Sequence, residues 1–372
     1  MSEVIERLLA YQIAAGHTPG ALVHVERAGR VLARAAAGRR DPAGDELLAD
    51  DALFRLASLT KPVVSLAALM LVVEGRLALD APLADWLPEL RELRLPSGAV
   101  PRRQPTLRDL LRHTSGLAYE TEIREAAPRN AALAYDVGAR MPYVAEDELL
   151  RTLAARPLAA EPGTAFRYGY STDALGIIVA RVAGRPLGEV LAARVFAPLG
   201  MTQTGFEVAA ADRSRLAVAF AADAAWQARV PGYGLREAGR PWMESGGAGL
   251  VSTIDDFARF ARCIAEGGRV GNERLLPADL SAEMTRNQLA EGVDGPFGFT
   301  GSGFGFGLGF AVRLDWGAAA MPCAAGELTW SGISGTALFV HPGERWFALL
   351  FSSNMASRMM ARMEFRRAVA GL

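Results

Sequence analysis

The stretch LASLTKPVVSLAALMLVVEG, Leu56 to Gly75, decides how the rest of the chain is read. Its apolar residues run almost unbroken, the pattern of a helix buried on all sides, and Gly75 supplies the stop. Ser58 and Lys61 stand at its start, three residues apart, so they share a helical face and the amine reaches the hydroxyl. Unsatisfied N–H groups at a helix N-terminus set positive potential beside the serine, which favours a developing oxyanion. A serine hydroxyl is a weak nucleophile and needs a base beside it. A partly buried lysine can shed its proton and act as that base; an arginine cannot. Of the 40 lysine and arginine residues only Lys61 is a lysine. In so arginine-biased a chain, a retained lysine marks a position where arginine would not serve.

Working outward, the ends of the chain read as strands and the middle as helices. ALVHVER (Ala21 to Arg27) alternates, turns at Ala28-Gly29 and continues as RVLARAAAG. TALFVHP (Thr336 to Pro342), WFALLFSSN and a last helix from about Ala356 to Ala370 mirror this at the other end. A hairpin at each terminus, each with a flanking helix, predicts one antiparallel sheet built from both ends, with the helices over one face. TLRDLLRH, AEDELLRTLAAR, ALGIIVARVAG, LGEVLAARVFAPLG and TIDDFARFARCIAEGG carry helical periodicity. Two irregular stretches, about Leu117 to Pro142 and Gln288 to Gly307, have the length of lids, pocket walls or plain surface insertions.

Composition excludes several classes of function. The net charge of −1 provides no field for nucleic acid or anionic membrane, and Arg39-Arg40 and Arg102-Arg103 are too sparse to build one. The opening MSEVIERLLAYQIAAG reads as a short amphipathic helix from Ser2, without the basic and apolar regions of a signal peptide. No apolar run approaches the ~18 residues of a membrane span, so a cytoplasmic location is expected. Cys263 and Cys323 are far apart and read as reduced thiols. No His/Cys/Asp/Glu group has metal-ligand spacing, GFGFGLGF lacks the context of a nucleotide loop, and no cofactor is expected. A Ser-His-Asp hydrolase is disfavoured, because Gly169-Tyr170-Ser171-Thr172-Asp173 lacks the last glycine of a G-x-S-x-G elbow.

Six blocks in order then resemble one family. Ala52 to Leu90 looks like the nucleophile helix and following loop of the class C β-lactamase-like and penicillin-binding-protein-like serine hydrolases. TLRDLLRHTSGL, PGTAFRYGYSTDALGIIVARV, FAPLGMTQTGF, GGAGLVSTIDDFARF and FGFGLGF are similar to its later blocks, and together they reach from about Pro19 to Asn354. The resemblance implies an α+β, β-lactamase/transpeptidase-like fold: a sheet lobe from residues 1–56 and 246–372, and a helical lobe from 57–245. It implies a catalytic Ser58 and Lys61, with Tyr168 sharing the base role and protonating the leaving group. It further implies an oxyanion hole from the backbone N–H groups of Ser58 and Ile333. His113 in the block RHTSGL reads as a structural histidine.

Departures from the family pattern narrow the activity. Tyr170 stands where its lactamases and peptidases usually carry asparagine; it reads as a packing aromatic or a pocket-lining residue. Trp330, Ser331 and Gly332 stand where they usually carry Lys-Thr-Gly or His-x-Gly, and Trp330 offers an apolar wall and one N–H donor instead of a cation. The spacing from Tyr168 through Ser171, Asp173 and Leu175 to Gly176 resembles the esterase branch, family VIII carboxylesterases. Asp173 reads as a cap for the helix it begins. The active site is expected at the seam of the lobes, with Trp330 to Ile333 on an edge strand. The expected reaction is ester cleavage through an acyl-enzyme on Ser58, on a small-molecule ester or amide. β-Lactamase or D-amino-acid peptidase activity, a biosynthetic acyltransferase and a non-turnover sensor are the alternatives. Oligomeric state is not legible in the sequence.

Overall fold

The computed structural model describes residues 2–119, 141–218 and 233–370. Most of the irregular stretch from Leu117 to Pro142 therefore lies outside the described residues. Helix α1 (Ser2–Ala14) leads into strands β1 (Gly20–Arg27) and β2 (Arg30–Gly38), which form the expected hairpin. Its turn residues Ala28 and Gly29 take φ of 50° and 80°, the left-handed geometry of a tight two-residue turn. The middle of the chain supplies α2 (Thr60–Val73), α3 (Leu107–Leu111), α4 (Glu146–Ala155), α5 (Ser171–Ala183) and α6 (Ile254–Ala265). The C-terminal part returns as strands β3 (Phe304–Phe306), β4 (Ala311–Arg313), β5 (Leu328–Ser331), β6 (Ala337–His341) and β7 (Trp346–Ser352), then helix α7 (Arg358–Ala368).

All seven strands make one antiparallel sheet in the order β2-β1-β7-β6-β5-β4-β3. β1 pairs with β7 from Ala21 opposite Ser352 to Arg27 opposite Trp346, so the two ends of the chain meet at the middle of the sheet. Alternation along the strands sends side chains to opposite faces. One face packs Val23, Val25, Phe339 and Leu350 against Ile5 and Leu9 of α1 and Ala361 and Phe365 of α7. The other packs Leu22, Phe347, Leu349 and Phe351 into a larger cluster with Phe257 and Phe260 of α6 and the apolar body of α2. That cluster continues into α5 without a break, so sheet and helices share one core.

One expectation is corrected. β5, which carries Trp330, lies inside the sheet between β6 and β4, and β3 is the edge. The pairing with β4 covers only Leu328 and Thr329, so Trp330 and Ser331 run past the end of β4 toward the helices. Sequence shows that a segment is a strand; it does not show how many strands are added beyond it. Among the described residues no helix is long and apolar enough to cross a membrane.

An ion pair with a buried carboxylate and a partly exposed guanidinium fastens α6 to β1. Glu26 accepts from Nε and Nη2 of Arg262 at 2.6 Å each, and its Oε2 lies 3.3 Å from Nε2 of His24. Burial pushes the Glu26 carboxyl up, but the Arg262 fork and His24 outweigh this and hold it at about 2, against an ordinary 4.5. A carboxyl lowered in the folded state stabilises fully above its unfolded pKa and loses that contribution as pH falls toward the folded value. Denaturant unfolding from pH 6 to pH 2.5 is therefore expected to show Glu26→Gln losing less stability than wild type below about pH 4.5. The difference is expected to be at most about 3 kcal/mol.

Candidate active site

The path to Ser58 is built by strained, tightly held backbone. Phe54–Arg55 pairs with Val251–Ser252, and the Leu56 N–H donates to the Leu250 carbonyl at 2.8 Å. Ala57 then takes φ 47°, a left-handed conformation that costs a non-glycine residue about 1–2 kcal/mol. Ser58 follows in a short 3₁₀ turn, Ala57–Leu59, that leads into α2. The strain persists because a second segment clamps this one. Ser334 Oγ donates to the Arg55 carbonyl at 2.7 Å, and Thr336 Oγ1 to the Leu56 carbonyl at 3.0 Å. Gly332 lies so close that a Cβ there would sit 2.2 Å from the Leu56 carbonyl oxygen and 2.3 Å from Thr336 Oγ1. The turn carrying Ile333 is thus stapled to the segment carrying Ser58.

Lys61 is 1% exposed, and its Nζ donates to Ser58 Oγ at 3.2 Å and to the Gly247 carbonyl at 2.7 Å. The same nitrogen lies 4.7 Å from the centre of the Tyr168 ring, in cation–π range. Ser58 itself is half-buried, as is Ile333, so both stand at an opening. Ser58, Lys61 and Tyr168, chosen from sequence, therefore meet around one amine.

Gly247 was not anticipated as a ligand of that amine, and the residue behind it corrects the reading of Asp173. The N-cap of α5 is Tyr170, and Asp173 lies inside the first turn with its carboxylate turned to another segment. Its Oδ1 accepts from Ser245 Oγ at 2.6 Å and from the Gly247 N–H at 3.1 Å. A Cβ on Gly247 would sit 2.4 Å from Asp173 Oδ2, so only glycine fits there. Burial pushes the Asp173 carboxyl up, while the Lys61 charge and the bonds from Ser245 and Gly247 pull the other way. Asp173 thus holds Gly247 by its N–H, and the Gly247 carbonyl holds Lys61.

Aromatic rings close the remaining sides. Trp330, 4% exposed, meets Tyr168 at 5.3 Å and Phe306 at 5.2 Å between ring centres, both edge to face. Phe306, 1% exposed, belongs to the second irregular stretch, part of which thus forms strand β3 and packs its ring into this cluster. Tyr170 is 1% exposed and edge-on to Tyr119 at 4.8 Å, which puts its ring in the backing of this cluster. His113, at φ 57°, lies 4.8 Å from the Tyr168 ring and is fully buried. Burial, and then the Lys61 charge, drive its pKa well below 6.5, so at neutral pH it is an uncharged packing ring. Ser331 ends strand β5 after Trp330, and Gly332 opens the clamped turn. Among the described residues no group of three or more His, Cys, Asp or Glu side chains is arranged to hold a metal.

A family model described as Beta-lactamase matches residues 4–372. The chain belongs to the Beta-lactamase family. Within it, Esterase EstB of Burkholderia gladioli is 38% identical over 337 residues, covering 86% of this chain and 82% of that protein. The solved structure of EstCE1, described as a hydrolase with promiscuous acyltransferase activity, superposes with a TM-score of 0.85 at 29% identity. That match covers 99% of this chain and 98% of EstCE1. The Beta-lactamase/D-alanine carboxypeptidase of Yersinia pestis shares the fold at a TM-score of 0.73 and 19% identity, over 100% of this chain and 97% of that one. The β-lactamase/transpeptidase-like, mixed α+β architecture expected from sequence is the one observed.

Two substitutions read out this geometry. Asp173→Ala loosens Gly247, whose carbonyl holds Lys61; kcat on an ester substrate is expected to fall about 10²-fold, with Asp173→Asn losing less. Gly332→Ala is expected to lower stability by about 1–3 kcal/mol in denaturant unfolding, because rigid backbone meets the new Cβ.

Proposed function

We propose that this chain is a serine carboxylesterase in which Ser58 carries the acyl group. The observation that carries the reading is the amine of Lys61, held 3.2 Å from Ser58 Oγ beneath the Tyr168 ring. Likeness to EstB and EstCE1 supports ester cleavage as the reaction. The two-lobe division, 1–56 with 246–372 and 57–245, is part of the proposal and draws the trio from the second segment and Gly332 and Ile333 from the first. So is a cytoplasmic address, in keeping with two thiols, Cys263 and Cys323, that are not joined.

In the proposed cycle the Lys61 amine accepts the Ser58 proton along that 3.2 Å line as Oγ attacks the ester carbonyl. The backbone N–H groups of Ser58 and Ile333 receive the oxyanion. The alcohol leaves with a proton from the Lys61/Tyr168 pair, and water releases the acid by the same steps in reverse order. Trp330, edge to face with Tyr168 and Phe306, offers an apolar surface where a cation would favour an acidic substrate. An uncharged acyl ester fits that wall better than a β-lactam or peptide carboxylate. Acyl transfer to an alcohol is the second reading, favoured by the description of EstCE1.

The test is hydrolysis of p-nitrophenyl butyrate. Ser58→Ala is expected to lose at least about 10³-fold in kcat. Lys61→Arg is expected to be equally inactive, because a guanidinium keeps its charge but accepts no proton. Folded wild-type protein without turnover would remove the esterase reading. Adding butanol and measuring butyl butyrate against butyric acid decides between hydrolysis and transfer.

A further inference from the structure

Arg362, on the second turn of α7, is a buried cation that the catalytic trio leaves unexplained. It is 5% exposed, and among the described residues no carboxylate pairs with it. Its Nη2 donates to the carbonyls of Gly332 and, at 3.1 Å, Thr336; its Nη1 lies 3.6 Å from Met359 Sδ. Among the described residues its Nε has no hydrogen-bond partner. Burial, and then the charge of Arg358, lower its pKa to about 9, which still leaves it charged at neutral pH. A buried charge without a counter-ion is destabilising. Bridging two carbonyls is work a neutral amide could do, so fastening the turn does not account for the charge.

The two carbonyls explain it. The Gly332 carbonyl and the Ile333 N–H belong to the same peptide unit, and in a trans peptide they point in opposite directions. The Gly332–Ile333 bond is trans. A guanidinium on that carbonyl turns the Ile333 N–H away from α7 and polarises it, since a hydrogen bond accepted at one end of an amide strengthens the donor at the other. The Thr336 carbonyl, which also accepts from the Gly332 N–H at 2.9 Å, fixes the far end of the same turn. We propose that Arg362 is a positioning residue that orients and charges the Ile333 N–H as an oxyanion donor, placing its positive charge one peptide behind the atom where negative charge develops. This rests on the reading of Ser58 and Ile333 as the oxyanion hole.

The experiment compares Arg362→Lys, which keeps the charge, with Arg362→Gln, which keeps hydrogen-bond donors without it. Each is assayed on p-nitrophenyl butyrate, titrated with 1-butaneboronic acid, which forms a tetrahedral adduct on an active serine, and melted. Expected is a kcat for Arg362→Gln at least about tenfold below that of Arg362→Lys, with KM within about twofold and boronate affinity falling in step with kcat. Equal kcat and equal boronate affinity in the two variants would overturn the proposal, as would a loss that follows the melting temperature or KM alone. If wild type binds boronate but hydrolyses no ester, the esterase reading fails while the boronate affinities of the two variants still decide the role of Arg362. Should Arg362→Gln not fold, Arg362→Met and Arg362→Lys give the same comparison.

Discussion

The site hangs on one amine. Lys61 Nζ joins Ser58, in the turn just before its own helix, to the Gly247 carbonyl on a distant loop, under the ring of Tyr168 from a third segment. Placing a lysine where 1% of its surface meets water requires that its few neighbours replace the solvent. A carbonyl dipole, a hydroxyl and a π face do so here, and among the described residues no carboxylate is in direct contact with the amine. Asp173 is bonded to Ser245 Oγ and to the Gly247 N–H, so it fixes the residue whose carbonyl holds the amine, while its charge and that of Lys61 attract each other at longer range. Several otherwise odd residues follow from that arrangement. Gly247 has no side chain because Asp173 fills the space, and Ser245 is buried because Asp173 needs its proton.

A second constraint sets the opposite wall. The turn from Gly332 to Thr336 is bonded to Arg55 and Leu56 in front and to Arg362 behind. Ala57 is held left-handed by the same contacts that leave no room for a side chain at Gly332. The nucleophile segment and the turn are thus one rigid unit, although 280 positions separate Thr336 from Leu56. Rigidity of this kind suits a site whose donors must already stand where charge will appear.

Much of this was legible beforehand, and the failures share a cause. The Leu56 to Gly75 helix, the lone lysine and the terminal hairpins are local patterns, and all are found where periodicity and turn residues place them. Asp173 was misread because an acid in a first helical turn has the local signature of a cap. Its actual partners lie 72 and 74 positions away. The edge-strand assignment of Trp330 failed for the same reason, since β3 and β4 come from a stretch without a clean strand pattern. Arg362 carried no local signal at all. One arginine among many in a basic helix looks like a solvated charge until its carbonyl partners are seen.

What the sequence determined alone was the chemistry of short range. Ser58 and Lys61 are brought together by three residues of helical rise, and the sheet and helix segments by periods of two and 3.6. The tertiary structure alone decided which backbone groups those side chains meet. Gly247, the clamped turn at Gly332 and the guanidinium of Arg362 reach the site across the sheet and the core, through contacts between segments distant in sequence. Such contacts form only when the whole apolar core closes, so no window of sequence contains them.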